Sequence, residues 1–145
     1  MNNKILEEKV KHLVHSIVYE KGFVCSVDIL LRLGYLSQTD YESWRFGKIA
    51  YLEKACIVNL SKLSTINKVL RKTAFELKLN PSITDYRKHG KGVKIKLQFS
   101  KSGDKKIEEF YATHFIDKKR IGELKLIKNN LRQQPPETTE FIASV

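Results

Sequence analysis

The chain has 145 residues, and its 27 Lys and Arg outnumber its 16 Asp and Glu, for a net charge of +11. A hydrophobic content of 41% excludes a disordered chain, and no apolar run approaches the roughly 20 residues that cross a bilayer. Because Glu7 and Glu8 lie where a signal peptide has its apolar stretch, we expect a cytoplasmic protein without a membrane partner, with one globular domain over residues 1–132 and a tail over residues 133–145.

Two helices are expected at the start of the chain. Apolar residues recur at three- and four-residue steps over residues 4–21, which predicts an amphipathic helix that ends at Gly22. A short extended piece at residues 23–25 follows. Ser26 is the expected N-cap of a short second helix, which stops at Gly34.

A third helix and a long fourth helix come next. Thr39 and Glu42 have the spacing of a capping box, so the third helix is expected to begin near Asp40. An apolar stripe at helical period predicts one long helix over residues 48–78. Pro81 lies just beyond it and disfavours the α region for the residue before it. Four helices would then form the core.

Strands are expected only in the second half of the chain. Apolar and polar residues alternate without a break over residues 93–99, which predicts the clearest strand. Residues 105–116 favour a helix capped by Asp104, with a hairpin left open because the end of the segment is β-prone. Residues 124–128 are a candidate second strand. The fold class is therefore mainly α (α+β), a helical core with a small β element.

Residues 26–48 have the spacing of a helix-turn-helix. The residues that carry this pattern are Ile29, Leu33 and Gly34. With the preceding helix and the later basic strand, the segment resembles a winged-helix arrangement, which implies that the helix from Asp40 enters the major groove with Arg45 and Lys48 near DNA. The second helix fits only with a turn one residue longer, which brings in Tyr41 and Trp44. The alternative is that Tyr41, Trp44 and Phe46 simply pack on the core.

Several short segments carry a second pattern, which covers about residues 20–116. They are Gly34-Tyr35-Leu36, Trp44-Arg45-Phe46-Gly47-Lys48, Tyr51-Leu52-Glu53, Asn59-Leu60-Ser61-Lys62-Leu63 and Phe99-Ser100-Lys101-Ser102-Gly103. Together they resemble a group of uncharacterised bacterial proteins. The resemblance implies a bacterial or phage-related origin and brings no function with it.

The positive charge is concentrated between residues 68 and 106, where there are 12 Lys and Arg and only 3 Asp and Glu. A block with this imbalance is typical of a surface that faces a polyanion, and the excess of lysine suits phosphate neutralisation better than base reading. Tyr86 is the expected stacking group in a glycine-flanked basic loop. The expected phosphate contacts are Arg71, Lys72, Arg87, Lys88, Lys91, Lys94, Lys96 and Lys101.

The predicted function is non-enzymatic binding of nucleic acid, with DNA as the expected form and with no cofactor and no metal; the sequence leaves the choice between DNA and RNA open. One alternative is an adaptor that docks an acidic protein on the same face, and another is a generic lysine-rich surface. A third is a metal-dependent nuclease using Asp104, Glu123 and Lys125. Cys25 and Cys56 lie in apolar contexts, so we expect buried thiols and not a zinc site or a disulfide.

The histidines add little to an enzymatic interpretation. His89 lies in the basic loop, where neighbouring cations disfavour its protonated form. His114 falls on an apolar side of its segment and is expected to be a hydrogen-bonded histidine of the core or its rim. His12 and His15 are three residues apart on the first helix, which by itself is a weak signal for a metal.

Overall fold

The computed structural model describes residues 3–133. Its elements in chain order are α1 (Asn3–Lys21), β1 (Phe23–Val24), α2 (Ser26–Leu33), α3 (Gln38–Arg45), α4 (Leu52–Ala55), α5 (Leu60–Glu76), β2 (Asn80–Ile83), α6 (Lys105–Ala112), β3 (Thr113–Ile116) and α7 (Lys118–Arg132). The protein is mainly α with a small antiparallel sheet, which confirms the predicted fold class. Apart from Gln133, the predicted tail over residues 133–145 lies outside the described residues.

The core is built mainly where α1 packs against α5. Most of the apolar positions of α1 that recur at helical period are buried, as the sequence predicts, and Leu13 is half-buried. They face the apolar stripe of α5, and each buried aliphatic side chain contributes about 1.5–3 kcal/mol to folding. The residues with no exposed surface on these two faces are Leu6, Val10, Val14, Ile17, Ile66 and Leu70.

The three strands form a sheet with the order β1-β3-β2, in which β3 is central and both neighbours are antiparallel to it. Phe23 pairs with Ile116, and Asn80 pairs with the same residue from the other side. The strand β2 was not expected, because Pro81 was interpreted only as a helix stop. A proline is tolerated here because β2 is an edge strand.

The predicted helix starts need two corrections. Cys25, not Ser26, is the N-cap of α2, and the Ser26 hydroxyl instead donates to Asn67 Oδ1 at 2.6 Å. Ser37 caps α3 by accepting a hydrogen bond from the backbone of Asp40 at 3.1 Å, so the helix begins at Gln38. Cysteine is not among the preferred capping residues, whereas Ser37 and Thr39 both are, so these two boundaries are hard to read from sequence.

The expected single helix over residues 48–78 is wrong. It is broken between α4 and α5, where the side chain of Asn59 caps α5 by accepting from the backbone of Lys62 at 2.9 Å. The backbone N–H groups of Leu52 and Glu53 bond to carbonyl oxygens of residues 98 and 99. The apolar stripe continued across the break because most of its residues face the core on both sides, although Leu60 beside the break is 58% exposed.

The expected strand over residues 93–99 is not part of the sheet. Only its second half follows the alternation: Leu97 and Phe99 are buried, whereas Val93 is 81% exposed and Ile95 is 58% exposed. The first half of the segment is therefore exposed to solvent, and the second half returns to the core. The alternating pattern therefore predicted the buried positions of the second half correctly, whereas the expected strand is wrong.

Residues 105–116 combine both of the alternatives that the sequence left open. Asp104 caps α6 by accepting from the backbone of Ile107 at 3.1 Å, as expected. The chain then passes directly into β3 at Thr113. The candidate strand over residues 124–128 is wrong, because this segment lies within α7.

The helix-turn-helix segment consists of α2, a connection over residues 34–37 and α3. Gly34 ends α2 with a φ of +78°, as expected. Trp44 is completely buried, and the ring of Tyr41 lies 6.1 Å from it. The side chains of α3 that face the core are therefore Tyr41 and Trp44, the two aromatic residues that fit the motif only with the longer turn.

Candidate nucleic-acid interface

The basic loop over residues 86–97 is held against the end of α3. The backbone N–H of His89 donates to the carbonyl oxygen of Arg45 at 2.7 Å. The Arg45 side chain contacts the same residue, with Nε donating to His89 Nε2 at 3.2 Å and Nη2 lying 2.6 Å from that nitrogen. These contacts place residues 45–48 and residues 86–97 on one surface, which we call the loop face.

The loop folds back on itself as a narrow arm. Its backbone pairs are Lys88 with Ile95, Leu97 with Tyr86, and the isolated bridge between Arg87 and Lys96. The Arg87 guanidinium also donates to the carbonyl oxygen of Lys94 at 3.3 Å and pairs with Asp85 at 2.8 Å. Backbone hydrogen bonds therefore order the part of the arm that carries these charged side chains, although the arm is not part of the sheet.

Two glycines allow the arm to approach α3 closely. Gly47 has a φ of +76°, and a Cβ added there would lie 3.1 Å from the side chain of Lys88. Gly90 has a φ of +98°, and its Cβ would lie 3.3 Å from the ring of Phe46. Any other residue at these positions would be strained, since positive φ favours glycine.

Phe46 is the aromatic side chain that the loop face offers to solvent. It is 45% exposed, and its ring stands edge-on to His89 at 5.8 Å. The sequence interpretation missed it, because Phe46 follows the aromatic residues of α3 and was grouped with their core packing. The signal available was its place at the helix end beside Gly47.

The expected stacking role of Tyr86 is wrong in this structure. Its side chain is only 8% exposed, and its ring packs 5.9 Å from Trp44 and 5.0 Å from Phe99. The hydroxyl lies 2.7 Å from His114 Nε2, and burial raises the pKa of Tyr86. Tyr86 therefore anchors the loop in the core. The expected rim histidine, His114, is its half-buried partner on β3.

Most of the predicted cations of the arm are accessible. Lys48, Lys91 and Lys96 are exposed and form no ion pair within residues 3–133. The ammonium group of Lys94 donates to the carbonyl oxygen of Gly90. These flexible lysines leave positive charge uncompensated at the surface, which suits a phosphate backbone.

Arg45 has a different position from the one expected. Its guanidinium lies 4.9 Å from the Tyr86 ring, and its buried Nη1 has no hydrogen-bond partner in the described part of the chain. Loss of hydration, followed by the charges of Arg45 and Lys94, lowers the pKa of His89. A neutral His89 accepts the hydrogen bond from Arg45, so this arginine positions the arm.

Three of the predicted phosphate contacts lie elsewhere. Arg71 and Lys72 are exposed on α5, and the Arg71 guanidinium lies 4.6 Å from the ring of Phe110. The backbone of Lys101 donates to Glu53 at 2.9 Å. Arg71 and Lys101 line a groove on one side of α6, whereas Arg87 and Lys96 line a cavity on its other side. The predicted basic patch is therefore two surfaces.

Two of the three residues of the nuclease hypothesis have structural partners in this fold. Asp104 caps α6, and Glu123 pairs with Arg120 one turn away on α7 at 3.2 Å. Within residues 3–133 no group of three or more His, Cys, Asp or Glu side chains is arranged to hold a metal ion. Burial raises the pKa of both free thiols, Cys25 and Cys56, to about 12, which leaves them protonated.

Comparisons with family models, with curated proteins and with solved structures gave no match for this chain. Among residues 3–133, no helix combines the length and the apolar character that crossing a bilayer requires.

Proposed function

We propose that the protein binds DNA without catalysing a reaction and that the loop face is the contact surface. The observation that carries the proposal is the hydrogen bond from the His89 backbone to the Arg45 carbonyl oxygen. Because of it, cations from two distant parts of the chain share one surface. A generic lysine-rich surface does not require such an anchored arrangement.

The chemistry of this surface favours backbone contacts over base reading. Lysines dominate it, and a lysine ammonium group neutralises phosphate without the bidentate geometry that distinguishes bases. Arg87, the arginine of the arm, is engaged with Asp85 and the Lys94 carbonyl oxygen. We therefore expect weak sequence selectivity and strong dependence on salt. Phe46 supplies one ring on which an unpaired base can stack.

The test is a titration of labelled duplex and single-stranded oligonucleotides at two salt concentrations. A variant with Lys48→Ala, Lys88→Ala and Lys91→Ala removes three charges from the loop face. On duplex DNA it should lower the slope of log affinity against log salt by about 2.7, three times the value for one phosphate. The matched control is Lys119→Ala, Lys125→Ala and Lys128→Ala, which removes the same charge from exposed positions on α7.

Equal losses in the two triple variants would show that only net charge matters and would remove the loop face from the proposal. Absence of binding at low salt would remove nucleic acid altogether. The variant Phe46→Ala tests whether a base stacks on this ring, since stacking contributes about 1–3 kcal/mol per base on single strands. It should weaken single-strand binding more than duplex binding.

A further inference from the structure

The groove beside α6 differs in chemistry from the loop face. It is an open groove of about 790 Å³ between α5, α6 and the segment over residues 100–102. Aliphatic and aromatic side chains line its floor, and two of them remain exposed: Leu60 at 58% and Ile107 at 43%. Leu63 and Phe110 complete the floor. Such an apolar, solvent-filled groove is typical of a binding surface.

The rim of this groove is strongly positive. It carries Lys68, Arg71, Lys101 and Lys106, which are all exposed and form no ion pair within residues 3–133. The acidic residue of the lining, Glu53, uses both carboxylate oxygens internally, for the Lys101 backbone at 2.9 Å and the Tyr111 hydroxyl at 2.8 Å. The rim cations therefore have no acidic partner in the groove itself.

We propose that this groove binds an acidic, amphipathic helix of a partner protein. Apolar side chains of that helix would pack on the floor, and its flanking carboxylates would pair with the rim cations. The stretch of α5 from Leu60 to Arg71 is about 16 Å long at 1.5 Å per residue, which matches about three turns of a docked helix. Charge complementarity selects an acidic partner over a neutral one.

The floor argues for protein in preference to nucleic acid. Single-stranded nucleic acid requires open aromatic faces for its bases. In the groove, the guanidinium of Arg71 already lies over the ring of Phe110 at 4.6 Å, and the exposed floor residues are aliphatic. The groove also shares no lining residue with the cavity on the other side of α6, which Arg87 and Lys96 of the loop face line. An acidic protein partner would therefore bind at a site different from the one proposed for nucleic acid.

The experiment uses a fluorescein-labelled helical peptide of about 12 residues, with leucine at positions i, i+3, i+4 and i+7 and glutamate on the flanks. Its comparator has the same composition in shuffled order, so that the leucines share no face. Fluorescence anisotropy with the full chain should show salt-sensitive binding of the first peptide, and binding of the shuffled peptide about tenfold weaker.

Two groove variants, Lys68→Glu with Lys106→Glu and, separately, Leu60→Ser, should weaken peptide binding about tenfold or more. Matched controls on α7 are Lys125→Glu with Lys128→Glu, and Leu126→Ser, whose leucine is 62% exposed. Neither control should change the affinity. The loop-face triple variant should bind the peptide like the parent protein, so failure of the nucleic-acid proposal is read from the oligonucleotides alone.

Three results would overturn the groove proposal. The first is equal affinity for the two peptides, or no effect of the groove variants. The second is loss of oligonucleotide binding in the groove variants while the peptide does not bind, which would assign the groove to nucleic acid. The third is a dimer in sedimentation equilibrium that the groove variants dissociate, which would assign it to a second copy of the chain.

Discussion

The loop face and the groove carry similar cations but differ in what lies between them. On the loop face most of the lysines are exposed to solvent, and the ring of Phe46, just after α3, is 45% exposed. In the groove, the cations surround an apolar floor that includes Leu60 and Ile107. The difference teaches that positive charge alone does not identify a partner. Apolar surface among the cations distinguishes a site for an amphipathic ligand from a site for a phosphate backbone.

A row of aromatic rings connects the two regions through the core. The Trp44 ring lies 5.0 Å from Phe99, and Phe99 stacks on Tyr111 at 5.4 Å with an interplanar angle of 3°. Tyr86 of the basic loop packs on the first two rings, and the Tyr111 hydroxyl reaches the groove residue Glu53. The two surfaces therefore share one support, while their ligand-facing residues are separate.

The largest loss of stability and of binding is expected when this shared row of aromatic rings is disrupted at Trp44. Trp44 is completely buried, and its indole N–H donates to the carbonyl oxygen of Gln98 at 2.8 Å. Trp44→Ala should lower the free energy of unfolding by about 3–5 kcal/mol, measured by urea denaturation, and should weaken both oligonucleotide and peptide binding. Phe46→Ala is the control, with an expected loss of about 1 kcal/mol or less. Loss of binding at one surface alone would contradict the shared support.

A smaller effect is expected at Glu108, which supports the segment leading to Lys101. Its carboxylate accepts hydrogen bonds from the backbone of Phe99 at 2.8 Å, and from both the backbone and the hydroxyl of Ser100 at 2.6 Å. Glu108→Ala should cost about 2–3 kcal/mol in urea denaturation and weaken peptide binding, because the segment that carries Lys101 loses its support. Glu109→Ala, at the exposed neighbouring position, should change neither. An equal loss of oligonucleotide binding would contradict this assignment.

The pH dependence of stability should report on the core beneath the loop. Burial lowers the pKa of His114 below its usual 6.5, so the unfolded chain takes up a proton at a higher pH than the folded one. This contribution to stability is complete above about pH 6.5 and is lost as pH falls below that value.

Urea denaturation between about pH 7.5 and pH 5 should show a loss smaller than that of Glu108→Ala. The substitution His114→Gln should reduce the dependence, whereas His15→Gln on the exposed face of α1 should leave it unchanged. A parent protein whose stability rises on acidification over this range would contradict the sign.

The smallest expected effect is a shift in the pKa of His89, which lies on the loop face. Removing the Arg45 charge in Arg45→Gln should raise the pKa of His89, measured by NMR titration of the imidazole, because Arg45 is one of the cations that lower it. Arg71→Gln, in the groove, should leave the pKa of His89 unchanged. Equal shifts in both variants would mean that the two regions are electrostatically coupled, against the separation described above.

The helices were largely readable from sequence, and the sheet was not. The apolar period of α1 and the glycines that end α1 and α2 are local signals, and the structure confirms them. The strands are two to four residues long, too short for a period to be recognised, and β2 contains Pro81. The stripe over residues 48–78 predicted most of the buried positions, but it included Leu60, which is 58% exposed, and it could not show the break at Asn59.

The candidate surfaces show the same division. The sequence located the basic block and the glycine-flanked arm, because charge and turn residues are visible without a fold. It misplaced Tyr86, which has the composition of a stacking residue but lies in the core, and it overlooked Phe46. Exposure depends on neighbours that are distant in sequence, so no local pattern distinguishes these two aromatic residues.

By itself, the sequence determined a mainly α protein with its excess charge in one stretch. Those properties follow from composition and from the spacing of apolar residues, which act over one or two helical turns. Only the tertiary structure decided that Arg45 and the basic loop share a surface and that Arg71 and Lys101 belong to a separate groove. Contacts such as that between Arg45 and His89, 44 residues apart, arise from packing of the whole chain and leave no trace in local periodicity.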